Sequence, residues 1–449
     1  MMIRVASGSM AAATRAAPLR AAAASRGLSS LFPLDEEYLG TPVTMPTAAA
    51  APATQVSTLS NGATVVTHAS RQMGASVGVV VGSGSRDESS AQSGASLHLE
   101  GMAYKLTQAR SSIRLMRDVE NAGGTLTASR GREKMLYVSE CPPDSAGEVL
   151  SALAESVVSP KIVPWEMSDA SAKLSQIILH RHAGSTSDQV DDAIHAAAFG
   201  DSSSVGKPLT PGPCRLSADG LKQFRDLRYK ASGITVVGVN VCHDEFKGQL
   251  RWALRAADTS PAAARSPSKY LGGELRVKSE IGTTSVSIAF ASPPASDASA
   301  PAYEALEALF NTRAAVAAAN TGAAASGFNV TYTDAGLIGV TGTCANGGAA
   351  AMTQALVSCF LPPSDAEVES AIVYAKISRG LKMEKPLSAL LVLADSASVG
   401  RDPTVSALDG VTVGGVKAAA ATAFQSGMSM AVVGNISEVP HKQDVAPSA

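Results

Sequence analysis

Two apolar, β-branched runs close two similar halves of this chain: Ser232-Gly-Ile-Thr-Val-Val-Gly238 and Ser426-Gly-Met-Ser-Met-Ala-Val-Val-Gly434. In both halves about 150 residues separate the second strand-like run from the closing one, and a period that long means duplicated domains rather than a solenoid. Any fold assigned to this chain must therefore be built twice.

Hydrophobic periodicity fills in each copy. In the first half, strand-like runs cover 63–68, 75–82, 124–129, 134–141 and 234–241, and helical patterns cover about 94–107, 111–122, 144–157, 165–197 and 220–229. In the second, strand-like runs cover 274–278, 284–291, 328–333, 337–344 and 428–434. Its helical patterns cover about 302–311, 348–360, 364–382, 387–398 and 412–425. Strand pairs interleaved with paired helices predict an α+β fold of two homologous domains, each a mixed, largely antiparallel sheet with helices packed on it. The expected boundaries are a first domain over 57–257, a Pro-, Ala- and Ser-rich linker over 258–270, a second domain over 271–440 and a tail over 441–449.

The N-terminus reads differently. Residues 1–34 hold Arg4, Arg15, Arg20 and Arg26 with no acid and no lysine, and Ala and Ser fill most of the rest. That composition predicts a mitochondrial transit peptide over 1–30, followed by a loose leader over 31–56. Without the four arginines, 33 basic residues face 39 acidic ones, a charge of −6. An acidic balance with no basic stripe excludes a nucleic-acid binder. The five cysteines, Cys141, Cys214, Cys242, Cys344 and Cys359, form no CxxC pair and are expected as buried or partly buried free thiols. No apolar run reaches the ~18–20 residues that span a bilayer, so attachment to a membrane assembly is expected through protein contacts. No nucleotide-binding or serine-hydrolase motif opens a helix after a strand, and Gly82-Ser-Gly-Ser85 lacks the P-loop lysine.

The segment Gly94-Ala-Ser-Leu97-His98-Leu99-Glu100-Gly101-Met102-Ala103-Tyr104-Lys105 follows an apolar strand and a turn. It resembles the ligand helix of the pitrilysin/insulinase family of zinc peptidases, which carries an inverted His-x-x-Glu-His motif. In that family two histidines four residues apart grip the metal and the glutamate between them activates bound water. On this chain the resemblance places Leu97 and Gly101 at the histidine positions and Glu100 at the base position. The family's third ligand, a glutamate on a later helix, maps to Leu174–His182, and no glutamate occurs between Glu166 and Glu245. His98 points about 100° away from the ligand face. His180 and His182, two apart on a helix, cannot chelate together there. No catalytic, cofactor or metal residue is therefore expected.

Further stretches resemble one branch of that family, the core-2-type subunits of mitochondrial ubiquinol–cytochrome c reductase (complex III). They are Asp118–Glu133, Tyr137–Cys141, His195-Ala-Ala-Ala-Phe199, Tyr270-Leu-Gly-Gly-Glu-Leu-Arg276 and Phe328-Asn-Val-Thr-Tyr-Thr-Asp-Ala-Gly-Leu-Ile-Gly339, the last the most specific. The resemblance implies a non-catalytic structural subunit without cofactors, peripheral on the matrix side of the inner membrane. Its implied partners are core protein 1 or a beta-type processing-peptidase subunit, and cytochrome b within dimeric complex III. The alternative it leaves open is the non-catalytic, alpha-type substrate-binding subunit of the mitochondrial processing peptidase. That subunit carries a glycine-rich loop in its second domain, and the nearest candidate here, Asn320–Gly327, has two glycines.

Overall fold

A computed structural model describes residues 54–70, 74–201, 205–212, 216–261, 263–397, 400–401 and 403–445, with the backbone alone at 177 and 180–184. The expected transit peptide, most of the expected leader, Cys214 and the end of the tail lie outside the described residues, as do the side chains of His180 and His182.

The first half runs β1 (Thr54–Thr58), β2 (Thr64–His68), β3 (Ala75–Val81), α1 (Ala95–Gly101), α2 (Ser112–Asn121), β4 (Thr127–Arg130), β5 (Met135–Cys141), α3 (Ala146–Val158), α4 (Pro164–Gly184), α5 (Thr186–Phe199), α6 (Ala218–Arg228), β6 (Ile234–Val239) and α7 (His243–Ala253). The second runs β7 (Glu274–Lys278), β8 (Thr283–Ser292), α8 (Ala300–Thr321), β9 (Ala324–Thr331), β10 (Gly336–Ala345), α9 (Ala349–Ser358), α10 (Asp365–Glu384), α11 (Pro386–Ala397), α12 (Val413–Gln425), β11 (Ser429–Gly434) and α13 (Lys442–Val445).

The strands form two mixed sheets, ordered β1-β2-β6-β3-β5-β4 and β7-β11-β8-β10-β9. Apart from the extra β1, order and direction repeat: one parallel pair in each, β2 with β6 and β7 with β11, and antiparallel pairs elsewhere. The closing strand of each half lies beside the first strand of that repeat, which is why the two Val-rich runs look alike.

Both faces of each sheet are covered, and the two covers have different origins. Val77, Val79 and Val81 of β3 join the core built by α3, α6 and α7 of the same half. The opposite face, with Val80, Val138, Val237 and Val239, is covered by Ala389, Leu390, Leu393 and Ala394 of α11 from the second half. Gly78 allows this approach, since a Cβ there would lie 2.8 Å from Leu390 Cδ2. Reciprocally, Val190, Ala193, Ile194 and Phe199 of α5 cover Ala289, Leu337, Ala431 and Val433 of the second sheet. Each buried Leu or Ile in these layers contributes about 1.5–3 kcal/mol, so every half depends on a helix that the other half encodes.

Several elements depart from expectation. β1 starts at Thr54, inside the expected leader, because a hairpin through Asn61-Gly62 pairs it antiparallel with β2. The single helical pattern over 165–197 breaks at Ser185, where α4 ends on the first half and α5 crosses to the second sheet. α7 follows the strand expected to close the first half. α8 runs twelve residues longer than 302–311 suggested, 22 residues against ten, and stops at Gly322, whose φ of 66° is the left-handed conformation that ends a helix. Asn320–Gly327, the candidate glycine-rich loop, is the end of α8, a two-residue turn and the start of β9. The expected tail contains the short α13. Of the four described cysteines, Cys141, Cys344 and Cys359 are buried, and Cys242 is exposed at the start of α7.

Candidate functional site

α1 begins at Gly94, whose φ of 82° turns the chain into the helix. The buried carboxylate of Glu88 caps it, accepting from Gly94 N at 2.7 Å, Ser96 N at 2.8 Å and Ser96 Oγ at 2.5 Å. An anion there satisfies free N–H groups and faces the positive end of the helix. Burial nonetheless pushes the Glu88 carboxyl above its ordinary range, against those hydrogen bonds. The helix ends at Gly101, well short of the expected residue 107, and Tyr104 beyond it takes a φ of 59°.

The two positions that the resemblance assigns to histidine ligands carry Leu97 and Gly101, and a leucine from α4 packs against both. Leu97 is buried in a cluster with Leu174 and Ile178 of α4. At Gly101, a Cβ would lie 3.0 Å from Leu174 Cδ1 and 3.2 Å from its Cδ2. Leu174 therefore fills the space between α1 and α4 where an imidazole at 101 would stand. Glu100 is ion-paired with Arg130, which also donates through Nε to Leu209 O at 3.2 Å and through Nη2 to Thr210 Oγ1 at 3.1 Å. His98 is buried, with Nδ1 2.8 Å from Gly94 O and Nε2 3.0 Å from Ser171 Oγ. Facing a carbonyl, Nδ1 must donate, so Nε2 accepts from the serine. These residues do not fit a zinc ion: Leu97 and Gly101 offer no lone pair, and both nitrogens of His98 are engaged. Among the described residues, no three or more His, Cys, Asp or Glu side chains gather as a metal set.

A second constellation lies where the two halves meet. Arg86 is buried, ion-paired with Glu133 and forked onto Asp334 through Nη1 at 2.7 Å and Nη2 at 2.6 Å. Nη2 also donates to Ser266 O at 2.9 Å in the linker. Glu133 accepts from Thr333 N at 3.0 Å and Thr333 Oγ1 at 2.7 Å, while Asp334 accepts from Ser268 N at 2.7 Å. Burial raises and the Arg86 guanidinium lowers the Asp334 carboxyl, with a net shift downward. Beside it, Arg132 pairs with Asp192 at 2.7 Å and Asp191 at 3.3 Å.

His195 of α5 lies in the same junction. Burial, aided by Arg132, pushes its pKa down to about 3, so the ring is neutral and its 3.6 Å approach to Asp191 Oδ1 is not an ion pair. Nδ1 donates to Asp191 O at 2.6 Å, leaving Nε2 to accept from Tyr332 Oη at 2.7 Å. Tyr270 Oη donates to Gly427 O at 2.7 Å and its ring meets Phe199 edge-on. A cleft of about 430 Å³ opens here, lined by Arg130, Arg132, Lys134, His195, Asn329 and Tyr332 among others.

The profile of the insulinase family, peptidase family M16, matches residues 64–211. Those residues form an M16 domain. The potato (Solanum tuberosum) mitochondrial-processing peptidase subunit alpha is 29% identical over 263 residues, 58% of this chain and 52% of that protein. The chain thus spans about half the length of that relative. Subunit alpha-2 of the same peptidase from Dictyostelium discoideum is 24% identical over 422 residues, 86% of this chain and 93% of the relative. Cytochrome b-c1 complex subunit 2 of Neurospora crassa, a mitochondrial protein, is 28% identical over 388 residues, 78% of this chain and 83% of the relative.

Within the M16 domain, the sequence located Leu97, Glu100 and Gly101 on one helix, and the structure puts them there. By resemblance it also set the helix beginning at Leu174 opposite them, but it did not single out Leu174, Arg86 or Arg130 as their neighbours or as links between halves. Glu133, His195, Tyr270, Tyr332 and Asp334 all lie in stretches that resembled the core-2 branch, and the structure brings all five to the junction of the halves. Arg86, in Gly84-Ser-Arg-Asp-Glu88, had no signal beyond a charge in a turn.

Proposed function

We propose that this protein is a non-catalytic structural core subunit of mitochondrial complex III, peripheral on the matrix side of the inner membrane. The observation that carries the reading is the hydrocarbon between α1 and α4: Leu97, Leu174 and Ile178 stand where the family's peptidases need metal ligands. Without a metal-bound water, Glu100 has nothing to deprotonate, and its carboxylate instead holds Arg130. The reading assigns no catalytic, metal or cofactor residue. The match along most of a cytochrome b-c1 subunit 2 supports the assembly named. No described helix is long and apolar enough to cross a membrane, in keeping with attachment through neighbouring subunits. The partners proposed are core protein 1, or a beta-type peptidase subunit in its place, and cytochrome b. Residues 1–30 are proposed as the targeting peptide, ahead of a leader over 31–56, two peptidase-like domains over 57–257 and 271–440 joined by 258–270, and a tail.

A second reading, the alpha-type subunit of the processing peptidase, is favoured by the near full-length match to such a subunit. The short turn between α8 and β9 weighs against it, because a glycine-rich loop is expected there. Native electrophoresis of mildly solubilised mitochondria separates the two. Co-migration with cytochrome b supports the core subunit. A soluble complex with a His-x-x-Glu-His partner, and none with cytochrome b, refutes it. Stoichiometric zinc in the purified chain would overturn both.

A further inference from the structure

Residues 263–273, between the two halves, form neither helix nor strand. Within them Ser266-Pro267-Ser268-Lys269 sets a serine before a proline, with a lysine three positions after the serine. Among the described residues five serines or threonines precede a proline: Ser159, Thr210, Ser260, Ser266 and Ser292. Of these, Ser292 is buried, Ser159 and Thr210 are half-buried, and Ser260 and Ser266 are exposed. Ser266 alone of the five has a basic residue three positions on.

The molecule holds this stretch by its backbone. Ser266 O accepts from Arg86 Nη2 at 2.9 Å, Ser268 N donates to Asp334 Oδ2 at 2.7 Å, and Ala263 O accepts from Arg228 Nη1 at 3.0 Å. Ser266, Pro267 and Lys269 are exposed. An enzyme cleft that takes these residues needs an apolar pocket with no acceptor beside the serine, because proline has no N–H. It also needs an anionic group farther along to meet the lysine. Those are the requirements of a proline-directed protein kinase.

We propose that Ser266 is a phosphoryl-acceptor site for a proline-directed kinase. Its Oγ attacks the γ-phosphorus of a nucleoside triphosphate. The Oγ–P bond forms as the bond from that phosphorus to the β,γ-bridging oxygen breaks, a carboxylate of the kinase takes the serine proton, and nucleoside diphosphate leaves. The product carries about −1.5 to −2 charges at pH 7. It stands on the residue whose carbonyl is 2.9 Å from Arg86 Nη2, the nitrogen that also holds Asp334 Oδ2 at 2.6 Å. The new anion competes with Asp334 for the guanidinium and repels both Asp334 and Glu133. Phosphorylation thus loosens the polar joint between the halves.

The test uses the full chain, purified free of other subunits, so its result is independent of membership in complex III. The chain is incubated with a purified cyclin-dependent kinase and magnesium ATP, and the product is mapped by mass spectrometry. Phosphate should enter Ser266 about tenfold faster than Ser260, which is also exposed but lacks the lysine. Ser266→Ala should abolish that incorporation, and Lys269→Ala should slow it by about the same factor. The phosphorylated chain should unfold at lower urea than the unmodified one, while Ser266→Ala treated in the same way keeps its midpoint. A chain that takes no phosphate at Ser266 overturns the proposal. So does Ser260 modified as fast as Ser266, or one urea midpoint shared by the phosphorylated and unmodified chains.

Discussion

Replacing Arg86 by alanine tests how the halves are joined. The guanidinium side chain is 1% exposed, and its partners Glu133 and Asp334 are 6% and 26% exposed. Removing one member of a buried ion pair costs about 3–5 kcal/mol, because the other charge is left uncompensated. Here the cost falls at the lower end, about 3 kcal/mol, since Glu133 keeps two donors from Thr333 and Asp334 keeps Ser268 N. Against a total stability of about 5–15 kcal/mol, that loss is readily measured by urea unfolding. Both tryptophans, Trp165 and Trp252, lie in the first half, so fluorescence follows that half while far-UV circular dichroism follows both. Because α5 and α11 are exchanged, the two signals should fall together in wild type and variant alike. Asp334→Ala should cost less, and the double variant should reveal a coupling of about 1–3 kcal/mol. A loss below ~1 kcal/mol, or a fluorescence transition that shifts while a separate circular dichroism transition stays in place, would refute the reasoning.

Other expectations follow from single groups. Glu307 on α8 is largely buried, near Glu304 on its own helix and Lys382 on α10, and burial pushes its carboxyl up to about 7. The native state therefore holds a proton between pH 4.5 and 7 that the unfolded chain releases, so stability falls as pH rises through that window. Glu307→Gln should raise stability by about 1–2 kcal/mol at pH 8, after discounting for partial solvation, with no gain at pH 4.5; an equal effect at both, read by thermal melts, contradicts it. His195 gives the opposite slope: its native pKa lies near 3 and its unfolded value near 6.5, so stability should drop as pH falls below 6.5, by up to about 1.4 kcal/mol per pH unit. Tyr332→Phe takes the donor from His195 Nε2 and should cost about 1–3 kcal/mol; a neutral result in chemical denaturation would discount that bond. Leu97→His with Gly101→His should bind no stoichiometric zinc and should lose about 1–3 kcal/mol through overpacking against Leu174; metal analysis showing one tightly held ion would refute the hydrocarbon argument.

The repeat was legible because strand composition and order survive duplication: β3 and β8, or β6 and β11, are β-branched runs flanked by turn residues. The lost ligand positions were legible because three residues of one helix sit within five positions of each other. What fills the space was not: the resemblance set the helix beginning at Leu174 against α1, but its pattern states only that one face is apolar, not which side chain reaches Gly101. The exchange of α5 and α11 was hidden for the same reason. A covered strand reads alike whichever half supplies the cover, and the 165–197 pattern gives no sign that its second part leaves for another sheet. α7 carried its own signals, Asp244 and Glu245 in its first turn and Phe246 and Leu250 four apart, which the strand before it overshadowed. Asp334 and Glu133 lay unremarked within stretches that carried the resemblance, and only the fold brings Arg86 between them.

The borrowed helices also set an order of events for a chain that appears one end first. Residues 54–253 hold every strand of the first sheet, yet the layer that shields Val80, Val138 and Val237 arrives only with Ala389–Ala394. During synthesis at about 5–20 residues per second, that valine-rich surface waits some seconds to tens of seconds for its cover, and a strand-edge or chaperone contact can reach it first. The length of that exposure is set by the roughly 150 residues between β6 and α11.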